Sequence, residues 1–239
     1  MAKSVSSDKQ VDESCTLMIS EIDRSRPIGA QIYDIVRLNI ILENLKPLTP
    51  INETDLSRWL GVSRTPVREA YLRLIDDGLI SARSKVGTMI APIDNARVSE
   101  GIVIRRALER EVAKSICSND ADLRPLESIL ALQSVAVGHN DYIEFFKRDE
   151  EFHAALAELA GIPSAWRLAH SVKAHTDRAR IMLTANLPKR INLAFGEHLE
   201  IVEALKARDA ELSQALISKH INSAFEAVKE EAAELDRTT

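Results

Sequence analysis

The chain has 239 residues, of which 45% are hydrophobic, 28% charged and 4% aromatic. That is enough for one large or two modest cores, and so few aromatics favour helices packed through aliphatic side chains. No apolar run approaches the ~18 residues of a membrane span, and the polar start does not read as a signal peptide. Cys15 and Cys117 lack metal or disulfide spacing, so a cytoplasmic protein is expected.

The formal charge of −5 looks wrong for a nucleic-acid binder until it is divided along the chain. Residues 1–25 hold three basic and five acidic groups and read as a loose tail. Residues 26–92 hold nine Lys/Arg against seven Asp/Glu, whereas residues 93–239 hold 19 against 24. This asymmetry predicts a DNA-facing domain over 26–92 and a second domain over 93–239 with another task.

Ile28, Ile32, Ile35, Val36, Ile40 and Ile41 form an apolar stripe that predicts a helix over about 28–43, broken by Pro47 and Pro50. Asn52 can cap a short second helix with Leu56, Trp59 and Leu60 facing inward. Gly61 then suits a tight turn, Ser63 is a natural N-cap, and Pro66 lies in the first turn of a third helix ending near Asp77 and Gly78. Val67, Ala70, Tyr71, Leu74 and Ile75 mark its buried face. Arg64, Thr65 and Arg68 fall on the opposite face, where a recognition helix in the major groove offers its N-terminal residues to base edges. An ordinary surface helix is the plainer reading of those residues alone. Strand-like runs at 79–82 and 88–91 flank a basic tip containing Lys85 and Gly87. Three helices and such a hairpin make a winged helix-turn-helix, with the tip reaching phosphate or minor groove.

After a linker at 92–95, apolar periodicity predicts helices near 95–117, 122–137, 140–160, 163–185, 189–207 and 209–235. The fold class is mainly α, a winged helix-turn-helix followed by an antiparallel helical bundle.

Asp149 and His153 lie four residues apart and so share one helix face. His198 precedes the turn at Arg208-Asp209 by about ten residues, and His220 follows it by about eleven. At ~1.5 Å per residue, both stand roughly 15 Å from that turn, level across a hairpin. One carboxylate and three imidazoles would suit Zn or Ni, or else Mn or Fe, with positions left for an oxygen ligand. The other reading is three unrelated histidines, some hydrogen-bonded in the core. His170 and His175 lack paired spacing and are read as non-ligands, and His139 beside Gly138 as solvated. Arg105 reaches the same height, either to clamp a carboxylate effector or to pair with a glutamate such as Glu109.

The run from Ile32 to Ile90, centred on Gly61-Val62-Ser63-Arg64-Thr65-Pro66-Val67-Arg68-Glu69-Ala70, resembles the GntR family of bacterial transcriptional regulators. Arg105 to Glu109, Asp149 to His153, Glu197 to Ile201 and Ala215 to His220 resemble, in order, segments of the FCD effector domain of its FadR-like branch. The resemblance implies a homodimer on a palindromic double-stranded DNA operator, more often repressing than activating, with a metal-containing pocket for a small organic acid. It implies DNA-reading roles for Arg64 and Arg68, backbone roles for Ser63 and Thr65, and a wing role for Gly87. Asp149, His153, His198 and His220 would take the metal, and Arg105 an effector carboxylate. The chain departs from the family at Glu43 and Leu48, where glycines are usual, and at Thr54, where some relatives carry arginine. The rivals are a metal-dependent enzyme using the same four ligands to activate water, and a regulator whose metal is structural or is itself the signal.

Overall fold

The computed structural model describes residues 21–83, 87–184 and 188–238. It divides at Ala91/Pro92 into two compact units. The expected tail falls almost wholly outside the described residues, as does Lys85 at the hairpin tip.

The first unit contains α1 (Ile28–Ile41), α2 (Glu53–Leu60), α3 (Arg64–Asp76), β1 (Ile80–Arg83) and β2 (Gly87–Ile90). The apolar stripe of α1 buries Ile32, Val36, Ile40 and Ile41 against Val67, Ala70 and Leu74 of α3. Asn52 accepts the Asp55 N–H at 2.9 Å and so starts α2. Gly61 ends it with φ 63°, a left-handed turn that a side chain would strain. Trp59, expected inside, is 38% exposed. Only Leu56 of this eight-residue helix is buried, and the last turn reaches the edge of the unit.

The strands pair antiparallel with Ile80 opposite Ile90 and Arg83 opposite Gly87. A third segment adds to them. Leu48 N–H bonds Ile90 O at 2.9 Å, Ile90 N–H bonds Thr49 O at 2.9 Å, and Pro50 bridges to Met89. Glu43 and Leu48 take positive φ, 59° and 65°. The family's glycine positions therefore keep their left-handed backbone here without glycine.

The second unit is all helical: α4 (Asn95–Cys117), α5 (Arg124–Gly138), α6 (Tyr142–Leu159), α7 (Pro163–Val172), α8 (Ala174–Thr184), α9 (Pro188–Lys206) and α10 (Ala210–Thr238). Asp94, Asp141 and Asp209 cap α4, α6 and α10 through backbone N–H groups. Phe152, Leu156, Ile201, Val202, Ile217 and Ile221 are buried in one core with the inner face of α4.

The expected single helix over 163–185 is instead two. Lys173 interrupts it, almost fully buried, with its ammonium held by Asp177 at 2.5 Å and by Glu150. The break lets α7 lie on α4 and α6 while α8 turns onto α10 and α4. Gly101 of α4 makes this approach possible, because a Cβ there would stand 2.6 Å from the Val172 carbonyl oxygen.

Candidate functional site

Three helices deliver four donors to the middle of the second unit. Asp149 and His153 come from successive turns of α6, His198 from α9 and His220 from α10. All are buried, and one ligand atom from each lies within 4.8 Å of the others. Nε2 of His198 stands 3.2 Å from Nε2 of His220, and Asp149 Oδ1 lies 3.5 Å from His198 Nε2 and 3.8 Å from His153 Nε2.

The surrounding groups decide which atoms face the centre. Gln133 gives its Nε2–H to the Arg148 carbonyl at 3.2 Å, which turns its Oε1 toward His198 Nδ1 at 2.8 Å. His198 Nδ1 must therefore carry the proton, leaving a lone pair on Nε2. His220 Nδ1 faces Glu197 Oε2 at 2.8 Å, and Ser223 Oγ donates to the same oxygen at 3.0 Å. His153 Nδ1 lies 2.6 Å from Glu109 Oε2. His198 and His220 are thus hydrogen-bonded from behind and His153 stands against a carboxylate, so that each presents Nε2 inward, the arrangement by which outer groups orient metal-binding histidines.

The centre collects lone pairs and no donor. His153 Nε2 and Asp149 Oδ1 are buried without a hydrogen-bond partner, and two Nε2 lone pairs confront each other at 3.2 Å. A buried acceptor cluster of this kind is costly unless a cation fills it. Donors about 2.1 Å from an ion lie roughly 3.4–4.2 Å apart, so drawing the widest-spaced pair inward by about 1 Å would complete the coordination. The residues fit a divalent metal.

Electrostatics agree with that fit. Burial holds His198 well below the ordinary imidazole range, and the neighbouring His220 adds to the effect. Burial also lowers His153, against an opposing pull from Glu109. Both rings are therefore neutral and able to ligate. Burial raises Asp149, but the guanidinium of Arg180, helped by Arg105, outweighs it and keeps the carboxyl well below its usual range. Arg180 Nη2 bonds Asp149 Oδ2 at 3.1 Å. For Glu109, burial is likewise outweighed by Arg105, then His153, and its carboxyl falls to about 2.

Arg105 lies beside the centre, buried, with Nε on Glu109 Oε1 at 2.5 Å. The glutamate pairing, one of its two expected roles, is the one this geometry displays. A small cleft opens beside His220, and the guanidinium groups in its wall belong to Arg180 and Arg190. Sequence reasoning missed both, together with Gln133 and Glu197, because none stands at a telling spacing from a ligand. His170 packs near Glu150 and Trp166, and His175 accepts the Asp94 N–H, so neither joins the cluster. His139 is exposed at the end of α5.

In the first unit, Ser63 occupies the N-cap of α3, yet its side chain makes no capping bond. Backbone N–H groups at this end are open to an anion such as phosphate. Ser63, Arg64, Thr65 and Arg68 are exposed together on the first turns. Neither arginine makes an ion pair among the described residues. Gly87 begins β2 with φ 94°.

Comparison with known proteins gives this geometry a family. The FCD domain matches residues 100–223, and the gntR family of bacterial regulatory proteins matches residues 28–90. The chain is 32% identical over 213 residues to the HTH-type transcriptional repressor RspR of Escherichia coli K12, covering 88% of this chain and 93% of that one. It is 28% identical over 189 residues to the Nta operon transcriptional regulator of Aminobacter aminovorans, covering 78% and 88%. The solved structure of E. coli McbR/YncC shares the fold, with a TM-score of 0.75 at 20% identity over 85% of this chain and 98% of that one. No described helix is long and apolar enough to cross a membrane. The chain belongs to the GntR family of bacterial regulatory proteins, a DNA-binding transcriptional regulator rather than an enzyme, with an FCD domain as its helical unit.

Proposed function

We propose that the protein is a homodimeric cytoplasmic repressor whose hold on a palindromic operator is set by a small organic acid, bound beside a divalent metal. The donor-free centre of Asp149, His153, His198 and His220, opening onto a cleft, is the observation that carries this reading. Three imidazoles and one carboxylate suit zinc or nickel best, with manganese or iron as further occupants. When bound, the ion supplies an electrophilic anchor for a carboxylate oxygen. The remaining tasks fall to the chain's own residues. Gln133, Glu197 and Glu109 orient the imidazoles, Arg180 keeps Asp149 ionised, and Arg105 steadies Glu109. Because His220 lines the cleft, an ion with more than four coordination positions could take an oxygen ligand from that side, a task beyond that of a purely structural ion.

In the DNA half, Arg64 and Arg68 read base edges, Ser63 and Thr65 hold the backbone, and Lys85 with Gly87 forms the wing contact. Paired recognition helices of a dimer then meet half-sites one helical turn apart. The repressor assignment draws on the likeness to RspR.

The test is metal analysis of wild type beside His198→Ala, with operator binding titrated against small carboxylic acids before and after chelation. About one metal per chain, lost in the variant, and an acid response abolished by chelation are expected. A full acid response from metal-free protein would reject the metal's part. Arg68→Ala should weaken operator binding by about 1–3 kcal/mol if it reads a base.

A further inference from the structure

The cleft beside His220 is walled by two cations, Arg180 and Arg190, above an apolar floor that includes Phe145 and Ile191. Its carboxylates are already matched. Asp149 meets Arg180 at 3.1 Å, and Glu109 meets Arg105 at 2.5 Å. Glu197 is committed to His220 and Ser223, and shares the cleft wall with Arg190. A divalent ion on the four donors would thus bring two positive charges that no carboxylate around the cleft is left to balance. Beside four buried ligands that excess is costly without a matching anion.

The second arginine is also held at a distance. Arg190 Nη2 donates to the Ser223 carbonyl at 2.9 Å. Ser223 lies three residues beyond His220 on α10, an axial rise of about 4.5 Å. A guanidinium has five N–H donors, and this bond uses one, leaving a fork able to receive a carboxylate. One cation group therefore sits at the ligand cluster and another about one helical turn along the cleft.

We propose that the cleft selects a short dicarboxylic acid over the monocarboxylic acid of equal length, with Arg190 as the specificity-determining residue. The first carboxylate takes the metal end beside Arg180, and the second meets Arg190. This rests on the metal-and-acid reading above. A monoacid would leave one charge of the ion unmatched and place a methyl group against the Arg190 fork.

The test compares succinate with butyrate on zinc-loaded full-length protein, by calorimetry and by shift of the melting temperature. Wild type should bind succinate about tenfold or more tighter, the scale of one charge-assisted hydrogen bond. Arg190→Gln, compared at equal zinc content, should reduce that ratio to about threefold or less, and Arg190→Lys should keep part of it. Equal binding of the two acids by wild type would overturn the selection while leaving the organic-acid reading intact. A preference undiminished in Arg190→Gln would remove Arg190 from the role. If neither these acids nor any other carboxylic acid binds the zinc-loaded protein, the organic-acid reading and the selection fall together.

Discussion

Arg180 Nη2 donates to Asp149 Oδ2 at 3.1 Å, and in doing so turns Oδ1 of the same carboxylate toward the imidazoles of His153 and His198. One residue of α8 thereby fixes which oxygen of an α6 carboxylate faces the centre. It also supplies the charge that keeps that carboxylate ionised against burial.

Arg180→Met should therefore leave Asp149 as a buried charge without its strongest partner. Removing one member of such a pair costs about 3–5 kcal/mol. The loss should be largest in metal-free protein and smaller with metal, because a cation in the centre replaces the missing charge. Denaturant melts of wild type and variant, with and without zinc, would reveal it. Equal losses in both states would show that Arg180 does not act on the ligand cluster.

The buried histidines set a pH dependence for the metal-free protein. His153 and His198 lie below the ordinary value of 6.5, so the unfolded chain takes up protons before the folded one does. Stability then falls as pH drops below about 6.5, by about 1.4 kcal/mol per pH unit for each proton of difference. Glu109, lowered to about 2, adds to the loss once the pH passes below the usual glutamate value of 4.5. Chelated protein melted at pH 7.5 and 5.5 should differ clearly. The metal-loaded form should hold its stability further into acid, until protons displace the ion. A chelated protein equally stable at both pH values would contradict neutral buried imidazoles.

Two helical glycines should respond in opposite senses to alanine. At Gly101 the new Cβ meets the Val172 carbonyl oxygen at 2.6 Å, and a backbone atom cannot swing aside. Overpacking of about 1–3 kcal/mol should exceed the gain of about 1 kcal/mol in helix propensity. At Gly196 nothing lies within 4 Å, so only the gain remains. Gly101→Ala melting lower and Gly196→Ala higher is the expected pair. Equal shifts would mean that α7 yields freely to α4.

The winged-helix elements and the four donors were legible because each rests on local chemistry: apolar periods, caps at Asn52 and Asp209, and residue counts from one turn. His198 and His220 meet because both helices leave the Arg208-Asp209 turn by nearly equal lengths. The break at Lys173 was not legible. No proline or glycine marks it, and it follows from the salt links to Glu150 and Asp177 and from the room left at Gly101. Gln133, Arg180 and Arg190 were hidden for the same reason, since only packing brings them near the ligands.

Leu48 shows local strain in the first unit. Its φ of 65° is left-handed, its side chain is 60% exposed, and its N–H is tied to Ile90 O at 2.9 Å. A non-glycine residue in that region carries about 1–2 kcal/mol of strain, against about 0.5–1 kcal/mol of extra chain entropy for glycine. Leu48→Gly should thus be neutral to stabilising by about 1 kcal/mol, and the β-branched Leu48→Val destabilising. A Leu48→Gly variant markedly less stable than wild type would show that the side chain contributes more than its exposure suggests.

His175 carries the last expectation. Its Nδ1 accepts the Asp94 N–H at 3.1 Å, so the start of α4 is tied to the first turn of α8. The Asp94 carboxylate in turn accepts from Ala96 and Arg97, at 2.9 and 3.3 Å, to begin the helix. Phenylalanine at 175 would fill similar space but offer no acceptor, leaving a backbone N–H without its partner, at a cost of about 1–3 kcal/mol. Because the imidazole is no ligand, metal content should stay at the wild-type level while amide exchange quickens at Asp94 and along the first turn of α4. Unchanged exchange there, in a folded variant, would mean that α4 begins without help from α8.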